Sequence, residues 1–352
     1  MSKPILIGIS PNTEADDVRL AFCQLLWPWC WRSGPAIAKL KTAISQMFPR
    51  RQIYLVNAGR TALLLALKSL DLKPKDEVVH LDFTCTVVPE TIKAAGGIPV
   101  PVADLIQAKI TPRTKALIVQ HTFGLPDNLS KLQAICRQSK LILIEDCAHS
   151  LGAKYHGKPV GSFGDMSVLS FGRDKIISSV FGGALLSKKP LNLPELSCPR
   201  RGWIFKQLLH PLLMALAVPT YFWLGKYLIY LARKLGLITL PLAVLPPARL
   251  PNALAELALH QWNKLEKLNR HRRRLAKFYA DNLHQPFNPA GVYLRFPLPL
   301  KKPAQFLALA KKKRLLLGNW YQSKIVNLPT HIKVELADAR RVVKLVKDYV
   351  RS

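Results

Sequence analysis

The chain has 352 residues, with 52 Lys+Arg against 21 Asp+Glu, and so a formal net charge of +31. Its 49% hydrophobic and 21% charged content supplies a large core and excludes a mainly disordered chain, and the length fits two domains or one large domain with an appendage. A cationic excess of this size points to a polyanionic neighbour: nucleic acid, an anionic membrane face or phosphorylated substrates.

Cys23, Cys30, Cys85, Cys136, Cys147 and Cys198 form no C-x-x-C pair and have no histidines at ligand spacing. Neither a disulfide framework nor a metal site is therefore expected, and a reducing compartment fits. The N-terminal apolar run is too short, and its sequel too acidic, for a signal peptide, so the bulk of the chain is expected in the cytoplasm.

In chain order, residues 53–190 alternate short aliphatic or β-branched runs with helical stretches, the pattern of a mainly parallel α/β sheet. The predicted strands are 77–83, 98–104, 116–122, 141–147, 166–171 and 182–187, with helices at 60–70, 86–95 and 129–139. Ligands sit beyond the carboxyl ends of such strands. Weight therefore falls on Thr84, Cys85, His121, Asp146, His149 and the stretch from Ser170 to Lys175.

From Pro199 the composition changes. Gln207 to Gly225 is a run of 19 residues without Asp, Glu, Lys or Arg, long enough for a membrane-spanning candidate. Pro211 and Pro219 interrupt it, and Arg200, Arg201 and Lys206 before it face Lys226, Arg233 and Lys234 after it. With positive charge at both ends there is no asymmetry to drive a crossing. A broken helical pair lying on or dipping into one leaflet is expected over roughly 203–240, with burial in a core or dimer interface as the alternative. Residues 252–283 have helical spacing, followed by a strand at 293–300 and helices at 303–314 and 336–350. The expected division is a large domain (1–198), a hydrophobic membrane-associating insertion (199–248), and a long helix with a small C-terminal α/β domain (249–352).

Three stretches at predicted strand ends carry chemistry. Asn57-Ala58-Gly59-Arg60-Thr61-Ala62-Leu63 is a glycine-containing turn into a helix, where free N–H groups and the helix dipole favour a phosphate. Glu145-Asp146-Cys147-Ala148-His149 delivers a carboxylate and an imidazole three residues apart. Ser170-Phe171-Gly172-Arg173-Asp174-Lys175 is followed by Phe181-Gly182-Gly183. His121 sits at another strand end, with a structural and a functional role both open. The basic clusters at 270–274, 301–302 and 311–314 are accompanied by no nucleic-acid-binding signature, so nucleic acid is not the expected partner.

In this order the stretches resemble those of the DegT/DnrJ-type sugar aminotransferases, which read roughly SGTAAL, EDAAQ or EDAAH, SFxPTK and GEGG. The likeness runs from about Gly34 to Lys188 and resumes at Arg249–Leu283 and at LPTH (328–331). It implies the aspartate-aminotransferase-like fold and pyridoxal 5'-phosphate (PLP) as cofactor. It also implies Lys175 as the catalytic amine, which forms the resting imine and then shuttles a proton. Asp146 would keep the pyridine nitrogen protonated, His149 would bond the phenolic oxygen, and Ser170 with Gly59, Arg60 and Thr61 would take the phosphate. Cys85 stands where the family places an aromatic residue over the ring. Pro247 stands where it has an asparagine that reaches the partner subunit, and Arg173-Asp174 replaces Pro-Thr before the lysine.

The implied activity moves an amino group, from glutamate, onto a nucleotide- or lipid-linked keto-sugar in cell-surface polysaccharide biosynthesis. The implied assembly is a homodimer. The alternative is a membrane-bound protein of the same fold without turnover, a scaffold or regulator. The charge then reads as docking to an anionic membrane at its cytoplasmic face, peripheral or monotopic.

Overall fold

The computed structural model describes residues 3–240 and 245–351; positions 241–244 of the expected insertion lie outside the described residues. Seven strands form the central sheet: β1 (Gln52–Val56), β2 (Glu77–Leu81), β3 (Ile98–Val102), β4 (Thr114–Gln120), β5 (Ile142–Asp146), β6 (Met166–Ser170) and β7 (Gly183–Ser187). Their spatial order is β1-β7-β6-β5-β4-β2-β3. The six expected strands are present, five with shorter ends and the one expected at 116–122 displaced to Thr114–Gln120, and β1 adds a strand not expected from the sequence. β7 runs antiparallel to both β1 and β6, whereas the other pairs are parallel. Between β6 and β7 the chain turns back through a helix-free loop, and a reversal without a crossover helix produces antiparallel neighbours.

The apolar runs lack polar alternation because both sheet faces are covered. Leu117, Val119, Leu143 and Leu169 pack on one face with helices α2 (Ala36–Met47) and α8 (Asn252–Asn263). Their neighbours Ala116, Ile118, Ile144 and Val168 point to the other, beneath α3 (Gly59–Lys68) and α4 (Val87–Ala94). The two-residue period of the strand makes this division.

The expected single helix over 252–283 is two, α8 and α9 (Leu265–Leu283), meeting at Lys264. The reason lies in the packing: Leu254 and Leu257 belong to the sheet core, whereas Leu275, Ala276 and Tyr279 belong to a second core. The Lys264 ammonium at the junction is held by Asp16 and Asp17 of helix α1 (Ala15–Leu26), each at 2.9 Å. The second core gathers β8 (Phe296–Pro299), α10 (Pro303–Lys312), β9 (Ile325–Leu328) and α11 (Leu336–Arg351). The N-terminal Ile5–Leu6 pairs with Leu315–Leu316, so the first residues join this small core.

Between β7 and α8 in the chain lie α6 (Arg201–Ala217) and α7 (Lys226–Lys234), joined by a π-helical turn at Tyr221–Gly225. Pro211 does not interrupt α6, contrary to expectation; it is buried within the helix, and the break falls at 218–220, around Pro219. Among the described residues no single helix is long and apolar enough to cross a membrane; by length and composition alone the pair Arg201–Ala217 and Tyr221–Lys234, bent by 119°, passes that test. Ile204 and Leu208 anchor α6 in the sheet core, and Met214, Ala217, Ile229, Ala232 and Ile238 form a separate small cluster.

Glu145, fully buried on β5, ties the sheet to the 161–164 turn. It accepts hydrogen bonds from the backbone N–H of Gly161 (2.7 Å), Phe163 (2.7 Å) and Gly164 (2.5 Å) and from His121 Nε2 (3.2 Å). His121 Nδ1 accepts from the Asp127 N–H, so both ring nitrogens of this buried histidine are spent on structure. Burial pushes the Glu145 pKa up, but His121 and the Gly164 and Gly161 N–H groups more than offset it and hold it below the ordinary range. A depressed folded-state pKa gives stability above the unfolded value, about 4.3, that is lost as pH falls through the folded one. Glu145→Gln should therefore cost about 3 kcal/mol at pH 7 in urea denaturation. The gap from the native protein should narrow on acidification below about pH 4; a constant gap would contradict this account.

Candidate active site

The carboxyl ends of β1, β2, β4, β5 and β6 open onto one cavity of about 310 Å³. Lys175, Gly59, Arg60, Thr61, Cys85, Asp146, His149 and Ser170, named from scattered stretches of sequence, all line it.

At one end is the start of α3. Its N-cap, Ala58, makes no side-chain cap hydrogen bond, and the dipole at the start of a helix favours an anion. Ser170 lies against Gly59 so tightly that a Cβ there would sit 2.8 Å from Ser170 Cβ and 2.9 Å from its Oγ. The Thr61 hydroxyl donates to Asn57 Oδ1 at 2.7 Å and shapes the turn from within. Asn57 in turn donates its backbone N–H to the Ala248 carbonyl (2.9 Å) and its side-chain amide to that of Pro246 (3.0 Å). The segment around Pro247 thus buttresses the turn within the chain.

Deeper in, Asp146 ends β5 and its Oδ1 accepts the Ala148 N–H at 3.0 Å. Burial raises its pKa, against the pull of that hydrogen bond and of Lys175 and His121; a cationic group placed beside it would restore its charge. His149 follows in a tight turn. Burial first, then Lys175 and Arg295, hold its pKa far below the usual histidine value, so the ring is neutral. Its Nδ1 is buried without a hydrogen-bond partner, an atom that a ligand hydroxyl would satisfy.

Lys175 sits on the β6–β7 loop. Its N–H donates to the Gly172 carbonyl at 3.1 Å, and its own carbonyl accepts from the Asn12 side chain. Burial pushes the adjacent Asp174 carboxyl up, but Lys175 and Arg295 hold it below its ordinary value. The Arg173 guanidinium donates to the Thr239 carbonyl and lies 5.1 Å over the Phe181 ring, and burial lowers its pKa to about 10. Arg173 therefore ties the lysine loop to the insertion.

The structure adds residues that no motif announced. Trp320 and Tyr321 of a short turn in the C-terminal part line the cavity, as do Gln120, Gly8 and Leu245. Trp320 stacks on His149 (ring centroids 4.5 Å) and on Phe123 (5.0 Å). Among the described residues there are two groups of ligand-type side chains, His121/Glu145/Cys147 and Asp16/Asp17/His260. Glu145 is already committed to three N–H groups and His121, and the Asp16/Asp17 pair to Lys264, so neither carries a metal assignment. The lining, with an open helix N-terminus, a buried carboxyl, an unpartnered imidazole nitrogen and a primary amine, fits a flat cationic ring bearing a phosphate, a hydroxyl and a carbonyl.

A model of the DegT/DnrJ/EryC1/StrS aminotransferase family matches residues 14–194, just over half of the chain. The chain belongs to this family. Among curated relatives, the UDP-N-acetyl-3-dehydro-alpha-D-glucosamine 3-aminotransferase of Acidithiobacillus ferrooxidans is 38% identical over 139 residues, 37% of this chain and 38% of the relative. The GDP-perosamine synthase of Vibrio cholerae is 32% identical over 174 residues, 46% of this chain and 47% of the relative. The match thus spans less than half the length of either. Solved structures share the whole fold. NtdA of Bacillus subtilis with bound cofactor PMP superposes with a TM-score of 0.75 at 17% identity, covering 100% of this chain and 86% of that one. DesV of S. venezuelae, in complex with a ketimine intermediate, gives 0.73 at 20%, covering 96% and 95%. In this DegT/DnrJ/EryC1/StrS member the family match ends at 194, just before α6, and the short C-terminal turn brings Trp320 to the cavity.

The contact between Gly59 and Ser170 yields a prediction. Gly59→Ala should destabilise the protein by about 1–3 kcal/mol through overpacking, read from urea denaturation midpoints. Gly8→Ala, whose Cβ would have no heavy atom within 4 Å, should stay within about 0.5 kcal/mol of the native protein. Equal effects at the two positions would refute the tight-approach account.

Proposed function

We propose that this protein is a PLP-dependent aminotransferase that moves an amino group from glutamate to a keto-sugar carried by a nucleotide or a lipid diphosphate, in cell-surface polysaccharide biosynthesis. The observation that carries the reading is the convergence of Lys175, Asp146, His149, Ser170 and the α3 N-terminus on one cavity. When bound, PLP supplies an electron sink for the carbon that loses its proton. Gly59, Arg60, Thr61 and Ser170 hold the phosphate, Asp146 keeps the pyridine nitrogen protonated, and His149 bonds the phenolic oxygen. Cys85 lines the ring's surroundings.

Lys175 Nζ would hold the cofactor covalently and, when free, would be the base that takes the proton from the donor's α-carbon and passes it on. Overall, the nitrogen of glutamate would end on the keto-sugar, and the carbon skeleton of glutamate would leave as its keto acid.

The reading includes a homodimer and a cytoplasmic location on an anionic membrane face. Its parts are a cofactor-binding region (1–198), a membrane-associating insertion (199–248) and a C-terminal region (249–352). Supporting the membrane contact are Leu224, 74% exposed, and Trp223, Tyr227, Tyr230 and Leu231, all half or more exposed, next to Lys226, Arg233 and Lys234. Aromatic and basic side chains around an apolar face suit an interfacial helix.

Purified protein with PLP should show a visible absorption band that is absent from Lys175→Ala and bleaches on adding glutamate. A band that persists unchanged with every amino donor would favour the scaffold reading, and no band in any preparation would remove PLP altogether. For the membrane contact, the paired substitution Leu224→Glu and Leu231→Glu should weaken pelleting with anionic vesicles by about 10-fold or more. Deleting α6 is a poor test, because Ile204 and Leu208 lie in the sheet core. Equal pelleting of variant and native protein would contradict the contact.

A further inference from the structure

Cys85 occupies the position where the resemblance calls for an aromatic ring over the cofactor, and a thiol presents no such face. We infer that Tyr321, from the C-terminal part of the chain, supplies the missing ring and, with Trp320 beside it, forms the aromatic cover of the cofactor site. The inference rests on the PLP reading above and deepens it.

Tyr321 and Cys85 line the same cavity. The Tyr321 ring meets Phe83, two residues before Cys85, edge-on at 4.9 Å between centroids and 80° between planes. Gln120 lines the cavity too, and its Oε1 accepts the Thr84 hydroxyl at 2.6 Å. The stretch that carries Cys85 thus reaches Tyr321 through Phe83. Burial, with Cys85 and Asp146 close by, pushes the phenol pKa up.

The backbone agrees. Tyr321 has φ +55° and ψ 31°, the left-handed region that side chains other than glycine seldom occupy. Trp320, stacked on His149 with 22° between planes, braces the turn. The 310 Å³ cavity remains with both rings in place, so they wall the site without filling it. An aromatic face against a cationic ring is attractive in the desolvated interior, and here the second core provides it.

PLP titration of the full-length protein, followed by its visible band and by Trp fluorescence quenching, tests this. Tyr321→Leu keeps apolar bulk without a ring and should weaken PLP binding by about 10-fold or more. Tyr321→Phe should stay within about 3-fold of the native protein. Adding Cys85→Phe to Tyr321→Leu should recover most of the loss. Melting curves without cofactor should coincide for the Leu and Phe variants. If Tyr321→Leu binds PLP as tightly as the native protein, the cover is wrong while the PLP reading stands. A native protein with no band removes both. Should Tyr321→Leu fold poorly, Tyr321→Met takes its place as the ring-free variant, and PLP binding by it as tight as the native protein's would overturn the proposal.

Discussion

A methyl group on Gly59 would meet Ser170, and one on Gly183 would lie 2.7 Å from the Gly59 nitrogen and 2.7 Å from the Leu169 carbonyl. The ends of β1, β7 and β6 converge there on bare backbone. That approach aims the first turn of α3 into the cavity and sets Ser170 beside it. It also requires β7 to lie between β1 and β6, antiparallel to both. The loop joining β6 to β7 therefore has to reverse above the sheet's edge, and Lys175 rides on that reversal. The proposed phosphate cradle and the placement of Lys175 are two consequences of one constraint.

The insertion is joined to this centre and not merely appended. Gly8 lines the cavity, Ile9 packs on the insertion's own cluster, the Ser10 hydroxyl and His210 Nε2 are 2.8 Å apart, and Asn12 bonds the Lys175 carbonyl. From the other side, Arg173 reaches Thr239, and Phe181 meets Trp203 edge-on at 5.7 Å. The face proposed to meet a membrane, at α7, is thus linked through the insertion, Ser10–Asn12 and Arg173 to the loop that carries Lys175. The +31 charge suits anionic surfaces and phosphorylated ligands, while the proposed chemistry depends on a few buried groups.

Much of the architecture was legible because its physical causes are local. Strands covered on both faces must be apolar throughout, so β2 and β4–β7 read as continuous aliphatic runs, and helix α3 follows a glycine turn whose purpose is local too. The strand β1 was missed because its short run, Ile53 to Val56, merges with the turn that follows. The helix break at Lys264 and the uninterrupted α6 around Pro211 were misread because each depends on what the helix packs against, which periodicity does not carry.

The sequence by itself determined which groups exist for chemistry and in what order: an amine, a carboxylate, an imidazole and a glycine turn, each at the end of an apolar strand. A parallel sheet delivers all strand ends to one side, so order along the chain became proximity in space. Only the tertiary structure decided what closes the site. Trp320 and Tyr321 stand 171 residues or more beyond His149 in the chain, on a turn with no periodic pattern. Their position is set by the packing of the second core against the sheet, a long-range contact that leaves no local mark in the sequence.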